Sequence, residues 1–224
     1  MKPYSIIAEI GSTHDGNLKI ALKSIRTAAK CGADIIKFQM HIPEYETLKN
    51  APNPPYFNKE KRYDYFKRTS FSLKNWKKII RECKLNKVGF LCTPFSLKAV
   101  EILENLNVKA YKIASGEVTN LPLLKKIYST GKFTLISTGM SNFSEIDNAI
   151  KIFKNKKKIC LMQCTSMYPC TDKFIGINLY DEFLKRYKTE IGFSDHTNDN
   201  LASICFASKG SKYIEKHFTL SKKF

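Results

Sequence analysis

The chain has 224 residues, 43% hydrophobic and 26% charged, with a formal charge of +18. That length suits one substantial domain or two small ones, and no run of eighteen apolar residues suggests a membrane span. The opening MKPYSIIAEIGSTHDG interrupts a short apolar run with Glu9 and lacks the long h-region of a secretory signal, so a cytoplasmic address is expected.

In chain order, short β-branched, apolar runs fall at SIIAEI (5–10), DIIKFQ (34–39), VGFLC (88–92), AYKIAS (110–115), FTLIST (133–138), KICLMQ (158–163), EIGFSD (190–195) and YIEKHF (213–218). Helical patterns lie between them near 18–31, 73–86, 96–106, 121–130, 143–154, 179–188 and 199–209. The first, LKIALKSIRTAAKCG, carries apolar residues at 18, 20, 21, 25 and 28–29 and meets Gly32 as a stop. Before the third, Pro94 ends a strand and Ser96 is placed to cap. Eight strands with seven intervening helices predict an α/β (β/α)8 TIM barrel. An open Rossmann sheet would need a glycine fingerprint after its first strand, and GSTHDGN puts Asn17 where a P-loop needs lysine. The segment 40–72, with four of the eight prolines, reads as a long loop after strand two that serves as a lid or binding loop.

The basic balance raises nucleic acid as a partner, yet five of the 38 basic residues are arginine. Base and phosphate recognition draws on the forked guanidinium, so nucleic acid is disfavoured and an attraction for anionic metabolites is expected. Seven cysteines (31, 83, 92, 160, 164, 170, 205) without CxxC pairing point to free thiols and away from structural zinc.

In a barrel, chemistry gathers at the C-terminal ends of the strands. Every predicted strand delivers polar groups there: Glu9; Lys37 and Gln39; Thr93; Lys112, Ser115 and Glu117; Thr138; Gln163, Thr165 and Tyr168; Ser194, Asp195 and His196; and His217. Singly, a strand lysine snorkels and a lone histidine is usually a satisfied core residue. Converging on one mouth, they are costly to bury without a ligand. Lysines with hydroxyls suit a small phosphorylated anion, two histidines suit a divalent metal, and Glu9 and Glu117 suit proton transfer or sugar hydroxyls.

The motifs AEIGSTHDGNLKIA, DIIKFQ, FLCTPFS, YKIASGEVTNLPLL, LISTGM, QCTSMYPC, GFSDHT and IEKHFTL, in this order, resemble the sialic acid synthase family, which includes the pseudaminic and legionaminic acid synthases. The resemblance implies a barrel that binds phosphoenolpyruvate, an N-acetylated hexosamine-type aldehyde and a divalent metal, Mn2+ with Mg2+ or Co2+ as alternatives. Matched by motif, Lys37, Thr93, Lys112, Ser115 and Ser194 would hold phosphoenolpyruvate, and His196 and His217 the metal. Glu9, Gln39, Glu117 and Tyr168 would meet the sugar. Glu9, Lys37, Lys112 and Glu117 form the expected catalytic set. Ser166 stands where some members have asparagine, which leans towards the legionaminic or pseudaminic branch. The implied reaction joins C3 of phosphoenolpyruvate to the aldehyde carbon, adds water at C2 and releases phosphate. Family members form homodimers and continue past EKHFT into a last barrel helix and a small antifreeze-like domain. The expectation for residues 1–224 is therefore a barrel lacking that helix and that domain, with a truncated inactive or binding-only barrel, or a Schiff-base aldolase using Lys112, as alternatives.

Overall fold

The alternating apolar runs form eight parallel strands: β1 (Ser5–Gly11), β2 (Ile35–Met40), β3 (Gly89–Pro94), β4 (Ala110–Ile113), β5 (Phe133–Ser137), β6 (Ile159–Cys164), β7 (Glu190–Asp195) and β8 (Tyr213–His217). Each pairs with its sequence neighbour, and β8 pairs with β1, so the sheet closes into a barrel. The computed structural model describes residues 3–53 and 60–221; residues 54–59 of the long segment after β2 lie outside the described residues.

Around the barrel stand α1 (Leu18–Lys30), α2 (Arg62–Thr69), α3 (Leu73–Leu85), α4 (Leu97–Asn105), α5 (Leu121–Ser129), α6 (Phe143–Ile152), α7 (Leu179–Tyr187) and α8 (Leu201–Ser208). In several of these helices a side chain satisfies the first N–H groups, which have no partner inside a helix. Asn17 accepts from Lys19 and Ile20 in α1, Ser96 accepts from Ala99 in α4, and Asn142 with Glu145 forms a reciprocal capping box on α6. Apolar residues then fall on one side; α1 buries Ala21, Ile25 and Ala28 against the sheet.

The expectation of seven helices, and with it of a barrel short of one, is corrected by the structure. Eight α-helices accompany the eight strands among the described residues, and the additional one is α2, inside the segment read as a loop. RYDYFKRT buries Tyr63, Phe66 and Thr69, three residues apart and hence on one helical face. Arg68 of this helix is ion-paired with Glu60 and, back across to the β1–α1 loop, with Asp15. Nearby prolines and aromatics mask that spacing in the sequence.

Two apolar layers result. A large core lies between barrel and helices, with Ile36, Phe38, Trp76, Tyr111, Leu124 and Phe206 among its buried members. A small one fills the lower barrel interior with Ile7, Leu91, Leu135, Cys160 and Met162. Fully burying such a side chain stabilises by about 1.5–3 kcal/mol. One step up four of the strands, on the same inward parity, the side chains change from apolar to charged: Ile7 gives way to Glu9, Ile35 to Lys37, Ala110 to Lys112, and Tyr213 to Glu215. The oily plug is thus the floor of a polar mouth.

Candidate active site

The mouth is a cavity of about 830 Å³ lined by residues from most of the strands, including Glu9, Lys37, Lys112, Ser194, Glu215 and His217. Register brings its charges together, because Glu9 sits opposite both Lys37 and His217, and Ser194 sits opposite Glu215. Lys37 Nζ lies 2.7 Å from Glu9 Oε2 and 3.5 Å from Glu215 Oε1, and Lys112 Nζ lies 3.3 Å from Glu215 Oε2. Two buried lysines and two buried carboxylates therefore form one chain of ion pairs.

Each charge is tuned by that chain. Burial opposes the ammonium of Lys37, but Glu215 and then Glu9 outweigh it and raise its pKa above the ordinary lysine value. Burial prevails at Lys112, lowering its pKa despite the attraction of Glu215. Burial also pushes the Glu215 carboxyl up, yet Lys112 and Lys37 together hold it below the usual carboxylate range. The mouth thus holds one firmly cationic lysine and one with a weakened hold on its proton.

On the β5 and β6 side, hydroxyls and a thiol take the place of charged side chains. A Cβ at Gly139 would run into the Ser166 hydroxyl and come within 2.8 Å of the Ser115 hydroxyl and 3.2 Å of Cys164 Sγ. Glycine lets these three polar side-chain atoms close on bare, buried backbone there. Ser137 and Ser194 hydroxyls meet at 3.0 Å beside it. In β1, a register irregularity between Glu9 and Gly11, with Gly11 at φ 53°, leaves room for Gln39 Nε2 to donate to Glu9 Oε1 at 2.9 Å.

His196 and His217 stand side by side, ring centroids 5.4 Å apart, with the Tyr168 ring across both at 4.1 and 5.7 Å. His196 Nδ1 is 2.9 Å from the Thr165 carbonyl oxygen. A carbonyl only accepts, so Nδ1 carries the hydrogen; burial is outweighed by Cys164 and this carbonyl, which raise the ring's pKa, and in the neutral ring the Nε2 lone pair is the one left for a ligand. Burial lowers the His217 pKa, which favours the neutral imidazole that metals take. The donor set fits a divalent cation held by two imidazoles. Among the described residues no group of three or more His, Cys, Asp or Glu gathers for a metal, so further ligands would be substrate oxygens and water.

Of the residues singled out from the sequence, Glu9, Lys37, Gln39, Lys112, Ser115, Ser166, Tyr168, Ser194, His196 and His217 line this cavity, whereas Thr93 and Glu117 stand outside its lining. Thr93 is buried next to Gln39, and its hydroxyl has no hydrogen-bond partner among the described residues. Glu117, its pKa raised by burial, accepts from Asn120 Nδ2 at 2.8 Å. Thr138 and Gln163 turn away, donating to the carbonyls of Met162 and Ile175. Asp195 accepts from Lys216, Ser203 and Thr197 and braces the loop after His196. Sequence reasoning missed Glu215, Ser137 and Cys164. Parity was the available signal for Glu215, which lies two residues before His217 and therefore on the same face.

The comparisons with known proteins agree with this architecture. The NeuB family model matches residues 24–224. The chain is 38% identical to the N,N'-diacetyllegionaminic acid synthase of Campylobacter jejuni, covering 99% of this chain and 69% of that one. It is 34% identical to the N-acetylneuraminate-9-phosphate synthase of Homo sapiens, covering 98% of this chain and 63% of the relative. Among solved structures, an N-acetylneuraminic acid synthetase from Leptospira borgpetersenii, in complex with citrate, superposes with a TM-score of 0.88 at 29% identity, over 99% of this chain and 75% of that one. A closed eight-stranded barrel with ion-paired lysines and carboxylates at its mouth defines the general class, a TIM-barrel enzyme. More narrowly, the chain belongs to the NeuB family of sialic-type acid synthases, and it spans about two thirds of the length of those two curated relatives.

Proposed function

We propose that this barrel condenses phosphoenolpyruvate with an N-acetylated hexosamine-type aldehyde, giving a nonulosonic acid and phosphate. The observation that carries the reading is the ion-paired Glu9–Lys37–Glu215–Lys112 chain in one mouth with the Ser115, Ser166 and Ser194 side chains and the paired histidines. Family membership supports the same chemistry at the level of sialic-type acid synthesis.

In this reading Lys37 and Lys112 balance the charge of phosphoenolpyruvate, with Ser115, Ser166 and Ser194 receiving its phosphate and carboxylate. Thr93, whose hydroxyl has no partner among the described residues, supplies a further donor. Glu9, Gln39, Glu117 and Tyr168 orient the sugar. C3 of phosphoenolpyruvate bonds to the aldehyde carbon, whose oxygen takes up a proton as hydroxyl. Water adds at C2 and loses a proton, and the C2–O bond to phosphate then breaks to leave the 2-keto acid. A divalent cation on His196 and His217, Mn2+ by family analogy, would polarise the aldehyde carbonyl. Each fixed donor or charge facing developing negative charge typically contributes roughly 3 kcal/mol to lowering the barrier. Glu9, 2.7 Å from Lys37, is the carboxylate placed to receive and return protons.

The lowered pKa of Lys112 favours one second reading, a Schiff-base aldolase with that amine as nucleophile. The two separate cleanly. Phosphate release that requires phosphoenolpyruvate, a divalent metal and either N-acetylmannosamine or a 2,4-diacetamido-trideoxyhexose supports the synthase. Borohydride trapping of pyruvate on Lys112, with no phosphate released from phosphoenolpyruvate, supports the aldolase instead.

A further inference from the structure

Just past β2, the chain turns back on the site through His41. Its imidazole lies flat between Phe66 of α2, at 3.8 Å and 6°, and Phe95, at 4.1 Å and 18°; Phe95 itself lines the mouth cavity. Arg62 caps the far side of Phe66, 5.3 Å from its centroid. At the ring edges, Nδ1 is 2.8 Å from Glu46 Oε1 and Nε2 is 3.3 Å from Gln39 Oε1. The orientation of the Gln39 amide follows from its other contact. Its Nε2 donates to Glu9 Oε1, and Glu9, ion-paired with Lys37, is a carboxylate that only accepts.

Both ring nitrogens thus face acceptors, and a ring nitrogen in that position carries a hydrogen. We infer that His41 is a positioning residue: bearing both ring protons between Glu46 and Gln39, it dictates which end of the Gln39 amide faces Glu9, and so holds the Glu9 carboxylate against Lys37. A ring with one proton keeps one of these two bonds. The Gln39 amide is then free to turn, and its oxygen would face Glu9 oxygen to oxygen. Glu46 is anchored for this task because its Oε2 accepts from the Ile42 N–H at 3.3 Å. Ser70, directly after α2, donates to the His41 carbonyl at 2.9 Å. The segment after β2 and helix α2 therefore act as a mount for the catalytic carboxylate, transmitted through one aromatic stack.

The inference rests on Glu9 and Gln39 serving the condensation proposed above. Its test uses the full chain in the phosphate-release assay with variants H41F and H41F/E46Q. Phenylalanine keeps the stacked ring and removes both donors, and the double variant also removes the carboxylate left stranded if H41F alone does not fold. The expected result is a folded variant with kcat down about a hundredfold, as for a misplaced catalytic group, and with KM for phosphoenolpyruvate within about threefold. A folded variant with unaltered kcat, or a loss confined to that KM, overturns it. Nitrogen-15 NMR of the unaltered chain decides the same point without activity. Two protonated ring nitrogens on His41, with the Gln39 amide shifted in H41F/E46Q, support the inference, and one bare nitrogen overturns it. With no turnover of any sugar by the unaltered chain, the synthase reading fails while the NMR result still decides the role of His41.

Discussion

Replacing Glu215 by Gln probes the charge balance of the barrel mouth directly. Lys37 and Lys112 are nearly fully buried and reach Glu215 at 3.5 and 3.3 Å, while Glu9 at 2.7 Å serves Lys37. E215Q leaves Lys37 one carboxylate and takes from Lys112 its ion-pair partner. Removing one member of a buried pair costs about 3–5 kcal/mol. Because Gln still accepts an N–H and Lys37 keeps Glu9, the lower end applies, about 3 kcal/mol, or roughly a hundredfold in the folding equilibrium. Urea unfolding at neutral pH reads this as a lower midpoint at unchanged slope. Phosphoenolpyruvate should restore more stability to E215Q than to the parent chain, because its charge faces the uncompensated lysine. The sign of the pH dependence also follows. Lys112 and Lys37 overcome burial and hold the folded Glu215 pKa below its unfolded value, so its contribution is complete above about 4.3 and is lost as pH falls through the lowered folded value. E215Q should therefore show a shallower acid limb. A midpoint change worth less than about 0.5 kcal/mol, within the range of ordinary surface substitutions, or equal rescue of both chains by phosphoenolpyruvate, would refute the reasoning.

Three further predictions address other parts of the site. Gly139→Ala places a methyl against the Ser115 and Ser166 hydroxyls and should raise KM for phosphoenolpyruvate about tenfold with a smaller change in kcat; an unchanged KM would remove these two hydroxyls from the binding site. Chelation, or His196→Ala, should abolish turnover while calorimetry still detects phosphoenolpyruvate binding, since the lysines and serines remain; full turnover after chelation would contradict a metal role for the histidine pair. Gly11→Ala imposes a side chain at φ 53° and 3.2 Å from Glu9 Oε1 and should cost about 1–2 kcal/mol in thermal unfolding, with a parallel loss of kcat. A melting loss with kcat intact would show that the bulge serves the fold alone.

The barrel is legible in the sequence wherever periodicity is local. The eight strands and the seven helices other than α2 sit within a residue or two of their patterns, because caps such as Asn17 and Ser96 and the stop after α1 at Gly32 act over a few positions. Helix α2 is less legible, since its burial depends on Phe66 meeting His41, a contact outside its own window. At the strand ends, residue type alone misleads by one position. Thr138 and Gln163 look like rim groups, yet it is Ser137 and Cys164, of opposite parity, that line the cavity. His41, next to the conspicuous Lys37 and Gln39, gives no sign in the sequence that it lies in an aromatic stack.

By itself, the sequence determines the alternation of strand and helix, the polar character of every strand's C-terminal end, and through its motifs the family. All of these are written in runs of a few neighbouring residues. Tertiary structure alone decides which polar groups share charge. Lys112 and Glu215 are 103 positions apart and meet across the barrel only after the ring closes and fixes the register of its strands. The sequence supplies two buried lysines and two buried acids. The closed barrel, by denying them water and setting them a few ångströms apart, turns them into one coupled site.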